Sequence, residues 1–217
     1  MKERPILFSA PMVRALLAGR KTQTRRIMKP QPTEDTESRW PGWKWPSAKC
    51  RSMVEIDKAA CLGPYGAPGD TLWVKEAWRT STAVDDKPGS ILETPGNGYG
   101  WPVWCEADGV EHRHGGKAIG GPGFTDPGRY RNARFMPRWA SRITLRVTSV
   151  RVERVQAITS DDAKAEGAPV DPSDPLCGRG SMAALSWYAS EWDAINGKRA
   201  PWSANPWVWV VGFEVVK

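Results

Sequence analysis

The stretch Asn205-Pro-Trp-Val-Trp-Val-Val-Gly-Phe-Glu-Val215 limits the fold more than any other part of the chain. Apolar residues occupy both alternating positions, so a strand made from it has two faces that need cover. It reads as a central or barrel-closing strand, with the rest of the chain supplying a layer on each side. Several segments suit that task. Arg4-Pro-Ile-Leu-Phe8 reads as a short opening strand. The turn signal Pro68-Gly-Asp70 introduces a strand over residues 71–78, with Leu72, Val74 and Glu76 on one face and Trp73, Lys75 and Ala77 on the other. Residues 142–150 alternate with Ile143, Leu145 and Val147 inward, and residues 151–155 continue that strand after a kink or bulge.

Three segments have helical signals. Ser9 is placed to cap a short helix over residues 10–18, with Pro11 in its first turn and Gly19 as its stop. Thr159 caps a second short helix over residues 161–166, which Gly167 ends. Residues 181–196 form the clearest helix, with Leu185, Tyr188, Trp192 and Ile195 on one stripe that reads as core packing. Strands and helices do not alternate regularly, so a doubly wound parallel sheet is not expected. The expected class is α+β, mainly β: a small, mostly antiparallel barrel with flanking helices.

At 217 residues the chain suits a single domain spanning 1–217. Two irregular insertions interrupt it, at about 29–67 and 81–134. The first carries Trp40, Trp43 and Trp45 among prolines and reads as ordered, pinned by its aromatics, since a linker would not carry them. The second is rich in glycine, as at Gly96-Asn-Gly98 and Gly120-Gly-Pro-Gly123, and reads as a surface excursion. It lacks the strand-to-helix setting of a phosphate loop.

The net charge of +7 favours polyanionic partners, nucleic acid first, and the 13 tryptophans could serve as core, interface or base-stacking platforms. No apolar run is long enough to span a bilayer, and the N-terminus does not read as a signal peptide. The expectation is a cytoplasmic monomer without membrane contact. Cys50, Cys61, Cys105 and Cys177 form no C-x-x-C pair and are accompanied only by His112 and His114, so they read as reduced thiols. Neither a metal nor a cofactor is expected.

Chemistry concentrates in Ala18-Gly-Arg-Lys-Thr-Gln-Thr-Arg-Arg26. A helix ends at Gly19, Lys21 stands at the turn, and the extended chain that follows puts Thr22, Thr24 and Arg26 on one face. That combination suits an anion or polar ligand, although a solvated basic face would show the same residues. Glu76 alternates with apolar residues and could point inward, or pair with an arginine. Glu166, in the last turn of its short helix, faces the negative end of the helix dipole, which favours its protonated form and suits a general acid.

The pattern Gly19-x-Lys21-x-x-Thr24-x-Arg26 resembles the signature of the ASCH domain family, within the PUA-like β-barrels. The likeness is to the bacterial N4-acetylcytidine amidohydrolases and to longer phage- and prophage-borne ASCH proteins. Pro68-Gly-Asp with Leu72-Trp-Val-Lys-Glu-Ala-Trp78, Met136-Pro-Arg-Trp139, and Asn205-Pro-Trp-Val-Trp-Val210 extend it over residues 4–28, 68–79 and 135–217. The resemblance implies a PUA-like barrel and hydrolysis of an N4-acylcytidine to cytidine and a carboxylic acid. It implies Thr24 as nucleophile, Lys21 as its base and Glu166 as the acid for the leaving amine. Arg20, Arg26, Glu76 and Trp73 would bind the substrate, a modified cytidine nucleoside. An RNA-binding PUA-like module, with or without ribonuclease activity, is the second class the residues allow.

Overall fold

A computed structural model describes residues 2–36, 42–47, 52–92, 99–109, 111–113, 117–118, 126–169 and 182–216. The N-terminal elements are β1 (Glu3–Leu7), α1 (Ala10–Leu17), β2 (Gln23–Ile27), β3 (Thr33–Asp35), β4 (Gly42–Ser47) and β5 (Ser52–Glu55). Then come β6 (Thr71–Lys75), β7 (Trp78–Arg79), β8 (Tyr99–Gly100), β9 (Pro102–Cys105), β10 (Glu111–Arg113) and β11 (Lys117–Ala118). The last are β12 (Thr144–Arg154), α2 (Ser160–Ala165), α3 (Met182–Asn196) and β13 (Trp207–Val215). The class is α+β, mainly β. The chain divides into two compact units, one built on Ala18–Asp70 and Arg146–Glu214, the other on Glu3–Leu17 and Thr71–Leu145.

In the first unit β13 lies between β12 and β2. It runs antiparallel to β2, with Val208 opposite Ile27 and Gly212 opposite Gln23. Its residues from Val208 to Phe213 are all buried, as a strand apolar on both faces requires. One face meets the helices: Val208 and Val210 pack with Val155, Ile158, Ala163, Tyr188 and Trp192. In α3 the stripe differs from the expected one. Ala184, Tyr188 and Trp192 are buried, while Ile195 is 54% exposed. The chain after α3 folds back onto Trp192, whose indole N–H donates to the Ala200 carbonyl at 2.8 Å, and this leaves Ile195 outside.

The first insertion is more regular than its sequence suggests. β3, β4 and β5 form an antiparallel sheet, pairing Glu34 with Trp43 and Trp45 with Val54. β4 does alternate, but over six residues and with Pro46 inside it, a pattern that sequence reasoning discounts. Its tryptophans fasten the sheet to β13. Trp45 meets Trp209 edge-on with centroids 5.3 Å apart, Trp43 meets Trp207 at 5.4 Å, and the Arg154 guanidinium lies 4.3 Å and 4.5 Å from the Trp43 and Trp207 rings. Trp40 lies outside the described residues.

In the second unit β1 runs parallel to β6, with Ile6 opposite Val74. β9 pairs antiparallel with β7 and β10, and Trp78, Val103, Cys105, Met136 and Ala140 form the core beneath them. The strand expected over residues 71–78 is split at Glu76 and Ala77. The Glu76 N–H turns to the Met136 sulfur at 3.3 Å and its carboxylate is held by Arg142, so the ladder stops and restarts at Trp78. Among the described residues the strands do not close into a barrel: β1 and β2 each have one strand neighbour. Just before β2 the Thr22 N–H donates to Ala165 at the end of α2, at 2.8 Å, where another strand would otherwise bond. No helix among the described residues is long and apolar enough to cross a membrane.

Candidate functional site

Two sharp turns in the first unit bring its charged side chains together. Gly19 takes φ +69° and releases the chain toward β2. The other turn ends α2. Thr159 and Asp162 form a reciprocal capping box that starts this short helix, Glu166 caps its C-terminal end, and Gly167 leaves at φ +102°. Lys21 Nζ then donates to Glu166 Oε2 and to the Glu166 carbonyl, both at 2.8 Å. Lys21 is 2% exposed and Glu166 6%, so the pair is closed off from water.

Arg25 completes the cluster. Its Nη1 lies 3.4 Å from Glu166 Oε1, and its Nη2 lies 3.1 Å from both Glu153 and Asp162. Gln23 donates to Asp162 at 3.1 Å, and Arg151 donates to Gln23 at 3.0 Å and to Asp162 at 2.8 Å. Three cations therefore face three carboxylates, and each buried charge has a partner. Arg20 donates to the Gly167 carbonyl at 3.0 Å and braces the same turn.

The electrostatics follow from that packing. Burial pushes the Lys21 amine below its ordinary pKa; Glu166 pulls it back up, and Arg26 and Arg25 add to the lowering. Burial acts against the Asp162 carboxylate, yet the Thr159 N–H, Arg25 and Gln23 together hold it below the usual carboxylate range. Burial raises the phenol of Tyr188, with Glu166 adding to the effect.

Strand alternation separates the remaining residues. Gln23 and Arg25 reach α2, while Thr24 and Arg26 project from the opposite face of β2. Thr24 is buried opposite Val211, and Arg26 stands opposite Trp209. On the Trp209 side lies a cavity of about 520 Å³, walled by Trp45, Trp209, Tyr65, Leu62 and Ile27. Burial lowers the Arg26 pKa, and Tyr65, Glu166 and Tyr188 pull it up.

Glu76 and Trp73 belong to the second unit. Arg142 binds Glu76 bidentately at 2.9 and 3.1 Å and grips Asp108 at 2.7 and 3.1 Å. Trp73 is half-buried, with Lys75 and Arg138 over its ring at 5.5 and 6.0 Å. Sequence reasoning missed Asp162, Glu153 and Arg151, which support the Lys21–Glu166 pair. Only Asp162 left a trace, as an acid three residues after the cap. Among the described residues no group of His, Cys, Asp and Glu is arranged to hold a metal ion.

Among solved structures, one of an ASCH domain from Lactobacillus crispatus JV V101 aligns over 99% of this chain and 80% of its own, at 11% identity and a TM-score of 0.42. The chain is similar to an ASCH domain. A second structure, of an Enterococcus faecalis V583 protein labelled DUF984, aligns over 100% of this chain and 80% of its own at 10% identity and a TM-score of 0.38. No family model and no curated protein matches the chain.

Proposed function

We propose that the protein hydrolyses the N4-acyl amide of N4-acetylcytidine or a related N4-acylcytidine, releasing cytidine and a carboxylic acid. The observation that carries this reading is the buried contact of Lys21 with Glu166. Amide cleavage needs a base for the nucleophile and an acid for the leaving nitrogen. A proton that moves along the 2.8 Å hydrogen bond from Lys21 to Glu166 leaves a neutral amine and a neutral carboxylic acid, which are those two groups. Burial favours the neutral form of the Lys21 amine.

In this reading substrate binding swings Lys21 Nζ, at the turn just before β2, round to Thr24 Oγ; Thr24 Oγ attacks the acyl carbon as Lys21 takes its proton, and Arg26 stabilises the developing oxyanion. Glu166 protonates N4, the C–N bond breaks, and cytidine leaves an acyl ester on Thr24. Water hydrolyses the ester and releases the acid, restoring the protons. The cavity walled by Trp45, Tyr65 and Trp209 is of the size of small-molecule sites, about 300–1,000 Å³, and its indole walls suit a pyrimidine.

The test is cytidine release from N4-acetylcytidine by the parent and by Lys21→Ala, Thr24→Ala and Glu166→Ala. Parent turnover is expected to fall by about two to four orders of magnitude in the Lys21 and Glu166 variants. A Thr24→Ala variant that keeps its rate would assign the attack to water instead of threonine. A parent inactive on acetyl and on bulkier N4-acyl substrates would overturn the reading.

A further inference from the structure

The second unit contains a cavity of about 630 Å³ whose wall is largely one stretch, residues 129–137, with Lys75 and Gly89 alongside. Lys75, Arg129, Arg131 and Arg134 line it, and no described carboxylate does. The stretch reads Arg129-Tyr-Arg-Asn-Ala-Arg-Phe135, with cations and aromatic rings interleaved. Its backbone is firmly held. Arg131 exchanges two backbone hydrogen bonds with Trp78, at 3.1 and 2.8 Å. The buried Arg131 side chain donates to Lys87 at 2.8 Å and Val84 at 2.9 Å. Both oxygens of Asp85 accept the Arg129 N–H, and Asn132 caps the next turn through the Arg134 N–H, each at 2.9 Å.

What this rigid frame displays is unusual for a free surface. Tyr130 is 53% and Phe135 67% exposed, and Arg129 and Arg134 are exposed beside them. Large aromatic rings on an anchored backbone, set among cations, make a platform on which bases stack while guanidinium groups meet phosphates. A duplex hides the faces of its bases, so the ring positions serve an unpaired strand.

We propose that residues 129–135, with the cavity they line, bind single-stranded nucleic acid: Tyr130 and Phe135 stack on bases, and Arg129 and Arg134 hold the phosphates. The site is built from the second unit alone, uses none of the residues assigned to amide hydrolysis and does not depend on that reading.

The experiment is fluorescence anisotropy with a labelled 12-nucleotide single-stranded RNA, across a salt series, with a DNA strand of the same sequence, a duplex, heparin and an acidic peptide as competitors. The variants are Tyr130→Ala with Phe135→Ala, and Arg129→Ala with Arg134→Ala; all four side chains are exposed, and thermal melting checks the fold. Binding by the parent is expected to weaken about tenfold or more in the aromatic pair, as loss of base stacking implies. In the arginine pair the salt dependence of log K should fall by about 1.4, for two phosphate contacts to a single strand. RNA and DNA strands should both compete, the DNA arm reporting whether the sugar matters. Hydrolysis of free N4-acetylcytidine, if present, should be unchanged in both pairs. No binding, binding untouched by loss of both rings, or equal competition by duplex, heparin or the acidic peptide would overturn the proposal.

Discussion

At the residue scale, Lys21 has the most to reveal. Burial lowers its pKa from the ordinary value of about 10.4, so its neutral form becomes available at lower pH than in a free chain. The active pair holds one proton, which Glu166 carries when it acts as the acid, so activity should be lost once pH is high enough to strip that proton from Lys21 and Glu166 together. Lys21→Arg, which keeps the charge and removes the base, should lose at least about a hundredfold in kcat at every pH; a variant with the parent's profile would remove lysine from the chemistry. The same shift bears on stability. A folded pKa below the unfolded one means that the unfolded chain binds more protons between the two values, so this contribution grows as pH rises through that window and is lost as pH falls. Cys105 gives a contrasting case. Burial and the neighbouring Glu76 raise its thiol pKa, which withholds the thiolate. Peptide mapping after treatment with a maleimide at neutral pH should find Cys105 unlabelled in the folded protein and labelled after denaturation.

At the element scale, α2 matters more than its six residues suggest. Asp162 closes its capping box and also accepts from Gln23, Arg25 and Arg151. Asp162→Asn keeps the shape but removes the charge, and should lower stability by about 2–3 kcal/mol in urea titration at neutral pH. Because the folded pKa of Asp162 is depressed, its stabilisation is present above about pH 4 and fades as pH falls further. The gap between parent and variant should close over that acid range; a gap that stays constant with pH would mean the charge is not what matters. The start and stop of α2 were legible in the sequence, since Thr159 and Gly167 are local signals. The link from Asp162 to β2 was not, because it depends on the alternation of Gln23 and Arg25 across a contact that no spacing announces. β3 to β5 were hidden for a related reason. Their cover is Trp207 and Trp209, far away in the chain, and a six-residue strand with an internal proline has little local pattern of its own.

At the scale of the whole molecule, the apolar pattern on both faces of residues 207–215 located the central strand of the first unit, and the Lys21 and Glu166 turns were both marked by glycine. What the pattern could not supply was closure: a barrel was expected, and α2 meets the backbone before β2 instead of a further strand. A chain ending at Pro206 should leave the first unit unfolded, seen as loss of dispersed amide resonances from Gln23 to Ile27, since β2 has β13 as its strand neighbour. The same pairing governs events on the ribosome. β2 is made well before β13, with the residues between Ile27 and Trp207 synthesised in the interval. At about 5–20 residues per second, β2 waits roughly 10–40 s for its strand partner. Through that interval its edge is open to other chains. How quickly translation reaches Trp207, and what shelters β2 until then, will therefore govern how much of the protein reaches its folded state.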